Sequence, residues 1–134
     1  MESDGAAVFA HLATALAYEG CQAGHSVLHT TAIDIVNTLV AAQASQRLKS
    51  ELRKYINPSI LLIDEIGYLP IDKTGADLLF QVFSQRYETA STIVTTNQAY
   101  KNWARVFNKD AILTSAVLDR LLDHAETVTI DGKS

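Results

Sequence analysis

SILLID, running from Ser59 to Asp64, and the Glu65 that follows it decide the fold. The run is apolar at consecutive positions, of strand length, and ends in two adjacent carboxylates. A strand with one wet face alternates apolar and polar residues. A strand apolar at every position has both faces covered, as a central parallel strand does. Helices must therefore lie on either side of it.

Working upstream, residues 46–56 form a helical pattern with Leu48, Leu52 and Tyr55 on one face, ended by Pro58. Residues 32–44 form another, with Ile33, Val36 and Val40 at one-face spacing. HSVLHT, residues 25–30, is a short β-rich run, and residues 6–23 read as a helix stopped at Gly24. Working downstream, a loop ends at Pro70 and Asp72 caps a helix carrying a stripe of Ala76, Leu79, Phe80, Phe83 and Tyr87. STIVTT (91–96) is a strand; short helices follow at 100–107 and 115–124; ETVTID (126–131) is a last strand. Strands alternating with helices predict an α/β sandwich of three layers with a mostly parallel sheet. Helices 32–56 and 73–88 are expected to cover its two faces, and the right-handed crossover rule sets the ends of SILLID and STIVTT on one edge.

The chain has 134 residues, which fits one domain. Hydrophobic residues make up 48% and charged residues 19%, which excludes disorder and low complexity. Eleven bases against fifteen acids give a net charge of −4, which excludes a basic nucleic-acid module of the usual kind. The charge is uneven. The first 46 residues hold no Lys or Arg, only Glu2, Asp4, Glu19 and Asp34, and so carry the whole −4. A single cysteine, Cys21, excludes an internal disulfide and a cysteine-rich zinc site, sets a reducing cytoplasmic expectation, and is expected to pack in the first helix. AAVFAHLATALA (6–17) imitates the apolar part of a signal peptide, but MESDG before it is acidic where a signal peptide is positive. It reads as a helix packed in a core. No segment reaches membrane length.

Three constellations carry chemistry. In ILLIDE, a strand delivers Asp64 and Glu65 to the sheet edge where open α/β folds bind ligands. Asp64 is suited to hold Mg²⁺ and Glu65 to polarise an attacking water; the plain alternative is a solvated acidic loop. In IVTTN, Thr96 and Asn97 end the next strand on the same edge, where Asn97 can orient the water or a γ-phosphate; the alternative is a turn residue. In SAVLDRLLDH, Arg120 points away from the apolar face of its helix. It is placed for an arginine finger against a neighbouring subunit's phosphate, or for a local ion pair with Asp119, Asp123 or Glu126. Two basic clusters, Arg47, Lys49, Arg53 and Lys54, and Lys101, Arg105 and Lys109 around Trp103, suit either DNA phosphates or a solvated face. His11, His25, His29 and His124 lack metal-ligand spacing and are assigned no site.

These segments, from about His11 to the end, resemble the IstB-type transposition helper ATPases, AAA+ proteins related to the DnaC helicase loaders. DEIGYLP and SAVLDRLL carry the resemblance by their order and spacing. It implies a P-loop NTPase fold, with Asp64 and Glu65 as Walker B acids, Asn97 as the sensor and Arg120 as the arginine finger. It further implies ATP and Mg²⁺ as ligands, assembly into homo-oligomers, and DNA and a transposase as partners.

One stretch departs from the pattern. The family carries GxxGxGKT immediately before its HLA segment, and here Ser3 to Ala10 (SDGAAVFA) stands in that place. Phe9 occupies the phosphate lysine's position and Ala10 that of the Mg²⁺-binding hydroxyl, while Ala6 and Val8 replace glycines. The family strand that precedes the loop, which lies between STIVTT and the last strand, has no counterpart. The chain is therefore expected to be an N-terminally truncated, partial domain over 1–134, with impaired nucleotide binding. A non-catalytic module that associates with intact homologues or a transposase is the alternative.

Overall fold

The computed structural model describes residues 3–123, with side chains from His11 onward. Helix α1 (Ser3–Gln22) leads to strand β1 (Val27–Thr31), then α2 (Ala32–Ala44) and α3 (Leu48–Ile56). Strand β2 (Ile60–Ile66), helix α4 (Lys73–Arg86) and strand β3 (Ser91–Thr96) follow. A 3₁₀ turn (Tyr100–Asn102), α5 (Trp103–Val106) and α6 (Ala111–Leu122) complete the described residues. The predicted strand at 126–131 lies outside them.

Each boundary has a local cause. Gly24 takes φ +91°, and the His25 amide donates back to the Gly20 carbonyl, ending α1. The Thr31 hydroxyl accepts from the Asp34 amide at the start of α2. Asp72 caps α4, as expected, its Oδ1 2.8 Å from the Gly75 amide. Asp110 Oδ1 does the same for Leu113 at 2.9 Å, so α6 starts at Ala111 rather than near 115. The predicted helix over 100–107 is divided into the 3₁₀ turn and α5.

The sheet has the order β1-β2-β3 and both pairings are parallel. SILLID is the middle strand, with Leu61, Leu62 and Ile63 fully buried. The layering differs from expectation. Leu61, Ile63 and Ile66 pack with Ile35 and Leu39 of α2, with Leu79 and Val82 of α4, and with Trp103, Phe107 and Val117. Both long crossover helices thus lie on one face. The opposite face, through Leu62, Val27 and Ile93, is covered by Ala13 and Ala17 of α1. Small residues allow that close approach: a Cβ added at Gly20 would lie 2.2 Å from the Ile60 side chain.

Three further expectations are corrected. The buried face of α2 is Ile35, Val36, Leu39 and Ala42, whereas Val40 is exposed. The helix is apolar at too many positions for one stripe to be unique, and packing against α4 selects the phase. From His11 to its end, helix α1 is buried along Ala13 and Ala17, and Leu12, Leu16 and Tyr18 are exposed. Cys21 is exposed rather than packed, although its neighbour Gly20 faces the sheet. No helix among the described residues is long and apolar enough to cross a membrane.

Candidate active site at the strand ends

The register of β2 against β3 breaks where the two carboxylates stand. Ile63 pairs with Val94 and Ile66 pairs with Thr96, so Asp64 and Glu65 together face the single residue Thr95. This is a β-bulge, a device that bends a strand and re-aims its side chains. Glu65 takes φ +68°, a left-handed conformation uncommon for a residue with a side chain. The bulge leaves the Glu65 amide without a carbonyl partner on the ladder, and the Thr95 hydroxyl accepts it at 3.1 Å. The same hydroxyl donates to Asp64 Oδ1 at 2.8 Å.

The second oxygen of Asp64 meets a residue from the other side of the sheet. Oδ2 lies 2.6 Å from Nε2 of His29 on β1. Alternation along β1 puts Val27, His29 and Thr31 on the α1 face, and Leu62 and Asp64 share that face on β2. The Asp64 side chain is 16% accessible and that of His29 48%. His29, which spacing alone assigned no site, is thus brought to the carboxylate across two strands. Its signal lay in parity: it is the third residue of β1, opposite Leu62 in the parallel register.

Thr96 and Asn97 stand beside the bulge. Thr96 Oγ1 donates to the Ile66 carbonyl at 2.6 Å and accepts from the Gln98 amide at 3.1 Å. Gly67, at φ +95°, admits this approach: a Cβ there would lie 2.7 Å from Gln98, 3.3 Å from Thr96 Oγ1 and 3.4 Å from Asn97 Oδ1. The DEIG loop and the TTN turn are therefore packed on each other, with Glu65 and Asn97 both exposed. Trp103, fully buried, donates from Nε1 to the Gln98 carbonyl and anchors the turn.

Arg120 is elsewhere. Its guanidinium lies 5.4 Å from the Phe80 ring centre and 5.9 Å from that of Tyr87. With Ser91, Thr92 and Tyr87 it lines a cavity of about 570 Å³ at the start of β3, the end opposite Asp64 and Asn97. Within one chain the structure does not bring Arg120 to the carboxylates. Beside it, the Tyr87 hydroxyl donates to Asp123, and that bond first, then burial, pushes the phenol up to about 12.

A buried guanidinium was missed. Arg86 is 1% exposed. It donates to the carbonyls of Tyr55, Ile56, Pro58 and Ser91 at 2.7–3.0 Å, and to Thr92 Oγ1 at 3.0 Å. Burial holds its pKa below the usual arginine value. The sequence signal was its place three and four residues after Phe83 and Val82 on the stripe of α4.

The donors at the strand ends are carboxylate, hydroxyl and amide oxygens, a hard set that suits a cation keeping several of its waters. Among the described residues no group of three or more His, Cys, Asp or Glu forms a metal cage. Residues 3–10 belong to α1. Their interior amides are committed to helical hydrogen bonds, and no Lys or Arg precedes Arg47.

Comparison with known proteins matches residues 4–134 to a family model described as IstB-like ATP binding protein. A Pseudomonas aeruginosa protein of insertion sequence IS21, named for ATP binding, is 40% identical over 124 residues, covering 92% of this chain and 46% of that protein. A Bacillus thuringiensis counterpart from insertion sequence IS232 is 44% identical, with 92% and 49% covered. The chain spans about half the length of the curated relatives it matches. Among solved structures, AMPPCP-bound DnaA from Aquifex aeolicus superposes with a TM-score of 0.70 at 19% identity, over 81% of this chain and 34% of that one. The DnaC helicase loader gives 0.64 at 15% identity, over 83% and 67%. The fold is therefore that of the P-loop AAA+ proteins.

Proposed function

The chain belongs to the IstB-like ATP-binding proteins, and from that premise we propose that the Asp64–Glu65 bulge is the metal-side half of an ATP site that serves transposition. One observation carries the reading. A buried parallel strand ends in two carboxylates, bonded through Thr95 to the neighbouring strand that ends in Thr96 and Asn97. Phosphoryl transfer asks little covalent chemistry of a protein; it asks for position and for groups that offset charge.

Asp64 would hold Mg²⁺, its carboxylate fixed by Thr95. Glu65, exposed at the bulge, takes a proton from a water, and the Asn97 amide orients that water. Thr96 keeps Asn97 in place through the Ile66 carbonyl. Bound Mg-ATP would supply the transferable phosphoryl group and the cation that offsets its charge. Arg120 faces outward at the far end of β3 and would serve the phosphate of another copy, which ties activity to homo-oligomers. Transposase and DNA are the partners that the family reading implies, and the exposed bases Arg47, just before α3, and Lys49 and Arg53 on it are candidates for DNA phosphates.

The phosphate side supports a narrower statement for these residues. Ser3 to Ala10 offers no lysine, and its amides beyond the first turn of α1 are committed within the helix, so nucleotide binding by this chain is impaired. The same observation favours, as a second reading, a module that associates with homologues or a transposase without hydrolysing ATP.

The test is thermal. A competent site at a hundred times its dissociation constant adds about 2.7 kcal/mol of stability. Millimolar Mg-ATP is expected to give no resolved shift, and ATP turnover is expected to match a Glu65→Gln control. A saturable shift abolished by Asp64→Ala would show that nucleotide is held without the lysine. Replacing residues 3–10 by a relative's strand and GxxGxGKT loop is expected to return Glu65-dependent turnover. A folded graft without it overturns the roles of Asp64, Glu65 and Asn97.

A further inference from the structure

We propose that Thr95 is the positioning residue of the site: one hydroxyl aims the Asp64 carboxylate and holds the Glu65 backbone in its bulged conformation. Proton accounting makes the assignment. The Glu65 amide can only donate, so Thr95 Oγ1 accepts there at 3.1 Å. Its one hydrogen is then free for Asp64 Oδ1, 2.8 Å away. Thr95 is the single residue of β3 that faces both carboxylate-bearing residues, because the bulge sets two residues against one. A regular ladder would send Asp64 and Glu65 to opposite faces. The bulge breaks that alternation, and the hydroxyl replaces the carbonyl that the ladder no longer offers. His29 takes the other oxygen, so the Asp64 carboxylate is held from both sides at 2.6 and 2.8 Å. A valine would keep the shape of Thr95 and lose both bonds; a serine would keep both bonds.

The proposal rests on the reading of Asp64 as a cation ligand, and the experiment separates the two. The probe is Mn²⁺ alone, titrated into the whole chain and followed by electron paramagnetic resonance, with amide hydrogen exchange read alongside on cation-free protein. Thr95→Val is expected to weaken Mn²⁺ binding by about tenfold or more, the range for losing a hydrogen bond to a ligating group. The same variant is expected to speed exchange at the Glu65 amide selectively, leaving Leu61 to Ile63 protected. Thr95→Ser is expected to restore both. A purely structural role would speed all β2 amides together and leave serine no better than valine, and either result overturns the proposal. Should valine not fold, Thr95→Ala gives the same readings. If Asp64→Asn abolishes Mn²⁺ binding while Thr95→Val leaves it unchanged, Thr95 alone loses its role. If Asp64→Asn changes nothing, the cation reading falls and the proposal with it.

Discussion

Arg86 shows how much one residue decides. Its guanidinium satisfies four carbonyls, at the end of α3, in the loop before β2 and at the start of β3. Of those carbonyls, the buried one of Tyr55 is left without a donor if the guanidinium is removed. Arg86→Met is expected to destabilise the fold by about 1–3 kcal/mol, the usual cost of leaving buried acceptors without a donor, as read by urea denaturation. Arg86→Lys, with one ammonium for several acceptors in a planar fork, is expected to recover only part of it. Tyr87 offers a spectroscopic check at the same scale. Its phenol, bonded to Asp123, is raised to about 12 from an ordinary value of 10.0. Absorbance at alkaline pH is expected to show one tyrosine ionising near 12, returning toward 10 in Asp123→Asn. The neutral phenol is the form the fold favours. Its contribution is complete below pH 10 and is lost as pH rises through about 12.

Between elements, the crossing of α2 and α4 is a tight joint. Gly75 sits in the first turn of α4, and a Cβ there would lie 2.7 Å from Val36 and 2.8 Å from Ile71. In an exposed helix Gly→Ala gains about 1 kcal/mol. Here the methyl meets a buried branched side chain on each side, and overpacking costs about 1–3 kcal/mol. Gly75→Ala is therefore expected to lower the melting temperature, and Gly75→Ala with Val36→Ala to recover part of the loss by clearing one neighbour. Asp72→Ala, in the same turn, removes the cap on the Gly75 amide and is expected to cost about 1 kcal/mol. The bulge belongs to this scale too. It is a property of the β2–β3 pair, and it sets the direction of both carboxylates.

At the scale of the whole molecule, the sheet separates two groups of proposed site residues. Asp64, Glu65 and Asn97 gather at the C-terminal ends of the strands, while Arg120 stands at the start of β3. Under the proposed roles, such an arrangement leaves Arg120 to act on another copy. In the loop-grafted protein, turnover per chain is expected to rise with protein concentration, and Arg120→Ala is expected to remove that rise. Mixing Arg120→Ala chains with Glu65→Gln chains is expected to restore part of it, since each supplies what the other lacks. Independence of concentration would overturn the role of Arg120 in trans.

The sequence alone determined what is local or periodic. An unbroken apolar run identified β2 as the central strand, and its parallel pairing on both sides follows. STIVTT matched β3 residue for residue, because branched residues bounded by turn formers leave little choice. Asp72 was legible as a cap, since a carboxylate three residues before a free amide is a local device. Two carboxylates at the end of such a strand, and DEIGYLP with SAVLDRLL, pointed to the family. Only the tertiary structure decided which face each helix covers. A strand apolar on both sides has no parity to say where α1, α2 and α4 lie, and the small Ala13 and Ala17 admit α1 where bulk would not. It alone decided the bulge, because a register slip is a relation between β2 and β3 and leaves no trace in either. It alone joined His29 and Thr95 to Asp64, across 35 and 31 residues, and aimed Arg86 inward. Hydrogen bonds between residues so far apart form only when the sheet has set both ends in place, and no window of sequence contains both partners.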